Sequence, residues 1–212
     1  LVALLYALIV GLLSVAFIVL SPAVPGGPLM PVDDAYIHFQ FARQAAEGHP
    51  FVYNHGQPPS SGATSLLYPF LLAAGYRLGF TGLNLGVWAV ALGALGAVVS
   101  ALAVRAYARR AGLQAWISGL LGAAVAAWGM LLWHATSGME TSLVVAFALL
   151  TLLFYERACL RPFVLAALAL ALLRPEGSFM AAAAAVLYAL RLFLRTGLSR
   201  GHLLLLIPLA AV

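Results

Sequence analysis

The sequence contains no lysine, a single cysteine and only six acidic residues in a chain of 212 residues. One cysteine, Cys159, excludes an intrachain disulfide framework and any metal site built from several cysteines. Its position beside Glu156, Arg157 and Arg161 favours a loop on the reducing, cytoplasmic side. Because all basic side chains are arginines, the bias suggests a GC-rich bacterial coding sequence, and it gives no indication of nucleic-acid binding.

Charged residues make up 8% of the chain and hydrophobic residues 64%. The apolar runs are too long and too many for a soluble core, so the sequence predicts an all-α, polytopic transmembrane bundle over residues 1–212. The apolar segments are 1–20, 64–80, 83–104, 114–133, 141–155, 162–173, 178–194 and 202 onward.

The two ends of the sequence are both apolar. Residues 1–20 resemble the core of a signal peptide, but no basic segment precedes them and the run is long enough to span, so we favour an uncleaved first span. Since the last residues, LLLLIPLAAV, are also apolar, we expect this single domain to be the N-terminal part of a longer chain. Within it, residues 21–82 form the first polar loop and 83–212 the further spans.

Arginines recur after alternate apolar segments, in the clusters Arg105/Arg109/Arg110, Arg157/Arg161 and Arg191/Arg195/Arg200. The positive-inside rule therefore predicts all three clusters on the cytoplasmic side. The segment 64–80 is short and contains Pro69 and Arg77, so we predict a helix in the outer interface and not a span. The loop of residues 21–82 then faces the extracytoplasmic side of a multi-pass protein in the inner, or plasma, membrane.

Paired carboxylates, Asp33 and Asp34, follow the first span. Charge beside hydrocarbon is costly to retain and indicates a functional site. The run AYIHFQFARQAAEG predicts a juxtamembrane helix that ends at Gly48, and one aspartate can cap it. A cap uses one carboxylate, however. The chemical alternative is that one carboxylate acts as a general base, while its neighbour or Glu140 holds a divalent cation, Mg²⁺ or Mn²⁺, against phosphate oxygens. Asp34 and Glu140 are the candidate ligands.

Two later polar patches, His134 to Glu140 and Arg174 to Glu176, fall on the same predicted side as the aspartates. Three separated patches that converge on one face would assemble an intramembrane site. Because segment 162–173 is too short to span alone, we predict that Arg174 lies below the outer membrane surface and faces protein or water.

The juxtamembrane helix contributes two further candidates. His38 follows Asp34 by four residues and shares its helix face, although a hydrogen-bonded structural histidine fits equally well. Arg43 is placed either to neutralise a phosphate or to extend toward lipid headgroups, and we favour the second role. No histidine spacing resembles a zinc site.

Five motifs occur in the order DDAYI, EGHPFVYNHGQ, GATSLLYPFLLA, TSGMET and LLRPEG. The ordered set resembles the bacterial C-type glycosyltransferases that use polyprenyl-phosphate sugars, in their arabinofuranosyltransferase-like and mannosyltransferase-like branch. The resemblance implies a catalytic aspartate in the first extracytoplasmic loop, matched by Asp33 with Asp34 beside it, and a second acidic residue near the donor phosphate, matched by Glu140. The residues assigned to the donor phosphate are Glu140, Arg174, Arg43 and His38, and those assigned to the substrate loop are Tyr36, Asn54, Thr64, Ser65 and Glu176.

The mechanism implied by the resemblance is inverting transfer. Asp33 would deprotonate an acceptor hydroxyl of a glycan, lipid or protein, and the oxygen would attack the anomeric carbon opposite the polyprenyl phosphate. Arg174, Arg43 or a cation would neutralise the leaving phosphate. Two alternatives stay open: a non-catalytic scaffold subunit that works with membrane-protein partners, and a transporter of lipid-linked sugars. The sequence shows no internal repeat of the kind many transporters contain.

Overall fold

The computed structural model describes residues 1–21, 23–24 and 27–196, and that part of the chain is mostly helical. Its α-helices are α1 (Val2–Leu20), α2 (Asp34–Ala46), α3 (Tyr68–Arg77), α4 (Leu85–Arg110), α5 (Ala115–Ala126), α6 (Gly129–Thr136), α7 (Thr141–Glu156), α8 (Leu160–Leu173) and α9 (Pro175–Thr196). A 3₁₀ turn, Gly82–Asn84, precedes α4. Two short antiparallel strands, β1 (Ala23–Val24) and β2 (Gly27–Pro28), were not predicted.

Within the described residues, three helices are long and apolar enough to cross a membrane: α1, Gly82–Arg110 and the Pro175–Leu194 part of α9. The predicted segment 114–133 is instead broken into α5 and α6, which meet at 48° and would make a fourth span if they cross together. The break occurs because Trp128 has an extended backbone, which interrupts the helical hydrogen bonds. A helical membrane protein is therefore supported, while the predicted segment 202 onward lies outside the described residues.

Helices α2 and α3 pack together over one end of the longer helices. A buried apolar cluster joins them to the first turns of α4 and α7 and to the last turn of α8, and its members include Met30, Ala35, Phe39, Leu72, Leu85, Leu143 and Leu173. Helix α3 has only 10 residues, about 15 Å of length, so it is too short to span. This agrees with the prediction that the segment 64–80 does not cross.

The predicted arginine clusters lie at the opposite end of the helices. Arg110 donates a hydrogen bond to the carbonyl of Glu156 (3.2 Å), and the guanidinium of Arg191 donates to the carbonyl of Tyr155. Since α7 has 16 residues, it is about 24 Å long, and Tyr155 and Glu156 lie at its far end from Glu140. Arg110 and Arg191 thus lie at the end of the bundle away from α2 and α3, as predicted for their clusters, while Arg200 lies outside the described residues.

Helix α4 packs closely against α6 and α7 through two glycines. A Cβ at Gly93 would overlap the carbonyl of Ala135, and one at Gly96 would lie 2.8 Å from the backbone of Ser142. The Ser142 hydroxyl also donates to the carbonyl of Gly93 (3.0 Å). Small residues permit this approach because van der Waals packing, and not the hydrophobic effect, holds helices together in lipid.

We expect Gly93→Ala to lower the thermal unfolding midpoint of the detergent-solubilised protein, because overpacking against a backbone costs about 1–3 kcal/mol. The matched control is Gly11→Ala in α1, where a new Cβ meets no atom within 4 Å. Equal midpoints for the two variants in a fluorescence melting assay would contradict the close contact.

Candidate active site

A buried carboxylate lies at the centre of the candidate site. Glu140 directly precedes α7 and is fully buried. The turn before it requires a glycine at position 138. Gly138 has a φ of +80°, and a Cβ there would collide with the side chain of Met30. No side-chain donor hydrogen-bonds to either carboxylate oxygen of Glu140. The nearest ionisable side chains are His38, with Nε2 at 3.5 Å from Oε2, and Arg174, with Nε at 3.7 Å from Oε1.

Burial controls the protonation of both acid–base groups. Burial lowers the pKa of His38 to about 4, against the opposing effect of Asp34, while Arg174 lowers it further. Burial also raises the pKa of Glu140, against the opposing effects of its own backbone N–H and Arg174. At neutral pH His38 is therefore an uncharged imidazole, and its contact with Glu140 is not an ion pair.

Arg174 owes its position to the proline that follows it. The residue before a proline avoids the helical conformation, and Arg174 is extended (φ −156°, ψ 150°) between the end of α8 and Pro175, the first residue of α9. Its guanidinium contacts two carboxylates, since Nε also lies 3.2 Å from Oε2 of Glu176. The Arg174 side chain remains 30% exposed.

Arg174 lines a groove of about 270 Å³ between the polar loop and the junction of α8 and α9. The other lining residues are Thr64, Leu66, Ala171, Leu172, Pro175, Ser178 and Phe179. The groove therefore presents a guanidinium at an otherwise largely apolar surface. We call it the arginine groove.

The paired aspartates lie at the start of α2 and are both exposed. Asp33 occupies the N-cap position, but its side chain makes no capping hydrogen bond. Asp34 is the first helical residue, where a negative charge is favoured by the helix dipole, and its charge acts on both His38 and Glu140. The predicted capping hydrogen bond from an aspartate side chain is therefore not formed. Asp34 instead interacts electrostatically with the buried carboxylate of Glu140.

Arg43 does not join this group. It lies in the last turn of α2, 54% exposed, with its Nε at 3.0 Å from Oε1 of Glu47. This hydrogen bond raises the pKa of Arg43 and lowers that of Glu47. Arg43 is therefore engaged with its own helix, and Arg174 is the arginine that contacts Glu140.

Two predicted substrate-loop residues, Tyr36 and Asn54, make hydrogen bonds within the protein. The hydroxyl of Tyr36 accepts from the backbone N–H of Met30 (2.8 Å), and Oδ1 of Asn54 accepts from the side-chain amide of Gln40 (3.2 Å). These contacts attach the polar loop and the entry to α2 to the helix itself.

Thr64 and Ser65 lie beside a second and larger cavity, of about 340 Å³, between α2, α3 and the polar loop. Its lining is Phe41, Ala45, Phe51, Pro59, Ser60, Ser61, Ala63, Thr64, Ser65, Leu66, Pro69 and Phe70. This lining is rich in aromatic rings and hydroxyls and contains no charged residue. Because Thr64 and Leu66 also line the arginine groove, the two spaces share a wall.

The predicted cation ligands do not form a metal centre by themselves. No group of three or more His, Cys, Asp or Glu side chains capable of holding a metal occurs in residues 1–21, 23–24 and 27–196. The ionisable side chains nearest to Glu140 are Arg174 and the neutral His38, which do not complete a carboxylate cluster.

Tyr68 is a residue of this region that the sequence patterns did not single out. It is fully buried, its hydroxyl donates to the carbonyl of Gly138 (2.9 Å), and its ring meets that of His38 edge-on at 5.5 Å between centroids. Burial raises the pKa of its hydroxyl, and the charge of Glu140 adds to the effect. The available signal was weak: a tyrosine in an apolar segment needs a hydrogen-bond partner if it is buried.

No family model matches this chain, and no curated protein or solved structure is significantly similar to it. Any function must therefore be argued from the residues and their geometry.

We expect His38→Gln and Glu140→Gln to change the pH dependence of stability in opposite directions. The folded pKa of His38, about 4, lies below its ordinary value of 6.5, so the unfolded chain binds more protons between these values. His38 therefore lowers the free energy of unfolding as the pH falls through that window. The total decrease is roughly 3 kcal/mol once the pH is below both pKa values. The raised pKa of Glu140 has the opposite sign: its contribution is lost as the pH rises above the ordinary glutamate range.

Melting midpoints measured from pH 4 to 7 should thus make His38→Gln less sensitive to acid than the wild type, and Glu140→Gln more sensitive. The exposed His55→Gln is the control for losing a histidine. If the melting midpoints of the wild type, His38→Gln and Glu140→Gln change equally with pH, neither His38 nor Glu140 is buried as described.

Proposed function

We propose that this chain is an integral membrane glycosyltransferase that moves a sugar from a polyprenyl-phosphate donor to an acceptor hydroxyl on the extracytoplasmic side of the bacterial plasma membrane. The observation that carries the proposal is the arginine groove. An apolar surface beside a partly exposed guanidinium offers what a lipid phosphate requires, namely a surface for the chain and a cation for the headgroup.

The residues that line the arginine groove match the two parts of a lipid-phosphate donor. Leu66, Leu172 and Phe179 supply apolar contact for an isoprenoid chain, and Arg174 stands among them. Arg174 contacts Glu176, which is 70% exposed, and the buried Glu140. An incoming phosphate would replace the weaker, solvent-exposed partner, while Glu140 would keep the guanidinium in place.

Asp33 is proposed as the general base. Its carboxylate is exposed and makes no capping bond, so it is free to accept a proton from an acceptor hydroxyl. The charge of Asp34, beside it, acts on both His38 and Glu140. In the proposed step, the deprotonated oxygen bonds to the anomeric carbon as the bond from that carbon to the phosphate oxygen breaks, and Arg174 stabilises the charge on the departing polyprenyl phosphate.

The acceptor is assigned to the larger cavity, because it shares Thr64 and Leu66 with the arginine groove. Phe41, Phe51 and Phe70 offer apolar faces there, and the serine hydroxyls offer hydrogen bonds. A lining without charge favours a neutral acceptor over an anionic one.

The test is mass spectrometry of lipids that remain bound to the gently solubilised protein, with the arginines at the two ends of α8 compared. Polyprenyl phosphate or its glycosylated form should co-purify with the wild type and with Arg161→Ala, and at least about tenfold less with Arg174→Ala, since a charge-assisted contact is lost. Arg161 is exposed at the opposite end of the helix and is therefore the matched control.

Asp33→Asn separates binding from chemistry in the same experiment. It should retain the bound lipid but lose transfer of the sugar by about 100-fold or more, as expected for removal of a general base. Bulk phospholipid alone in every sample would refute the donor site, and full transfer by Asp33→Asn would remove Asp33 as the base. Bound donor without any turnover in the wild type would favour the scaffold or transporter alternatives.

A further inference from the structure

Four consecutive residues, Ser65 to Tyr68, make hydrogen bonds to two separate parts of the candidate site, the end of α8 and the turn before α7. The backbone N–H groups of Leu66 and Leu67 both donate to the carbonyl of Leu172, at 3.0 and 2.9 Å, two residues before Arg174. Tyr68 then reaches the turn before Glu140. The segment thus bonds to the end of α8 and to the start of α7 within a single turn of chain.

Tyr68 is the member of the segment closest to the buried carboxylate. Its hydroxyl donates to the carbonyl of Gly138, two residues before Glu140, across 70 positions of sequence. Its ring packs edge-on against His38, the imidazole that faces Glu140 from α2. Its own backbone N–H donates to the hydroxyl of Ser65 (3.0 Å), which fixes where α3 begins.

We propose that Tyr68 is a positioning residue that holds His38 and Glu140 in register with Arg174. Neither oxygen of Glu140 is fixed by a side-chain hydrogen bond, so the position of the carboxylate is set by the backbone turn that carries it. That turn contains Gly138, the residue whose carbonyl Tyr68 binds.

The consequence for function follows from the same contacts. Loss of the Tyr68 hydroxyl leaves the ring against His38 but releases the turn, so that Glu140 no longer presents its carboxylate to Arg174 at a fixed distance. The inference rests on the proposed function for one consequence, weaker binding of a lipid phosphate by Arg174. The coupling between Tyr68 and Glu140 stands independently of any substrate.

The chain supplies a closely matched control. Tyr6 is also fully buried, and its hydroxyl also donates to a backbone carbonyl, that of Gly119 at 2.8 Å, but it joins α1 to α5 away from the site. Tyr6→Phe and Tyr68→Phe therefore remove the same chemical group and the same type of hydrogen bond. General destabilisation should appear in both variants, whereas an effect on the site should appear only in Tyr68→Phe.

The first measurement is a double-mutant cycle of melting midpoints at neutral pH, with Glu140→Gln as the common partner. Tyr68→Phe and Glu140→Gln should be non-additive by about 2 °C or more, because misplacing residue 140 matters less once its charge is gone. Tyr6→Phe and Glu140→Gln should add within error. If Tyr68→Phe does not fold, Ser65→Ala takes its place, since it removes the hydroxyl that accepts from the Tyr68 backbone.

The second measurement is the binding of polyprenyl phosphate in detergent micelles to the wild type and both tyrosine variants. Tyr68→Phe should weaken binding about 5- to 10-fold, while Tyr6→Phe should bind as the wild type does. Additivity in the Tyr68 cycle, or equal binding by the two tyrosine variants when the wild type does bind polyprenyl phosphate, would overturn the positioning role. Non-additivity in that cycle, together with no binding by the wild type, would support the coupling and overturn the donor-site proposal instead.

Discussion

The burial of Glu140 is the constraint on which the rest of the site depends. A carboxylate removed from water loses several kcal/mol of solvation unless charges or hydrogen bonds replace it. Here the replacement is incomplete: a guanidinium and a neutral imidazole lie near the oxygens, but no side-chain donor binds them. Burying a carboxylate with so few partners lowers the stability of the fold, so a purely structural role is a poor explanation for Glu140.

The arrangement is possible because the helices around the carboxylate are short. Helix α8 has 14 residues, about 21 Å of length against roughly 30 Å of hydrocarbon, so it leaves space near one membrane surface. The polar loop lies against this end of α8. The carbonyl of Leu172 at the end of α8 is satisfied by Leu66 and Leu67, and Arg174 can then lie between protein and groove.

Much of the candidate site was predicted from the sequence, although the contacts within it were not. Asp34, Glu140, Arg174 and Glu176 were selected because charged residues are rare in this chain and these lie in the polar patches, and His38 was selected because it follows Asp34 by four residues. Their grouping followed from placing the polar patches on one side, and the structure brings them to one end of the bundle. Arg43 was selected by the same reasoning, but its ion pair with Glu47 removes it from the group.

The roles of Tyr36, Asn54 and Tyr68 depended on contacts that no local pattern contains. A tyrosine hydroxyl finds its partner in whichever carbonyl the packing brings near, and for Tyr68 that carbonyl is 70 residues away. The break between α5 and α6 was hidden for a similar reason, because an apolar run has the same composition whether it is one helix or two. Hydropathy is averaged over a window and is insensitive to the conformation of one residue such as Trp128.

The sequence by itself determined that the chain is helical and apolar enough for a membrane, that the arginine clusters after alternate apolar segments lie at one end, and that the three polar patches lie at the other. Those properties follow from composition and spacing, because a bilayer rejects exposed charge and unpaired backbone groups wherever they occur. Only the tertiary structure decided which charges meet. The contacts of Glu140 with His38 and Arg174 join residues far apart in the chain, and their distances are set by how α2, α7 and α8 pack, which depends on the fit of all their side chains together.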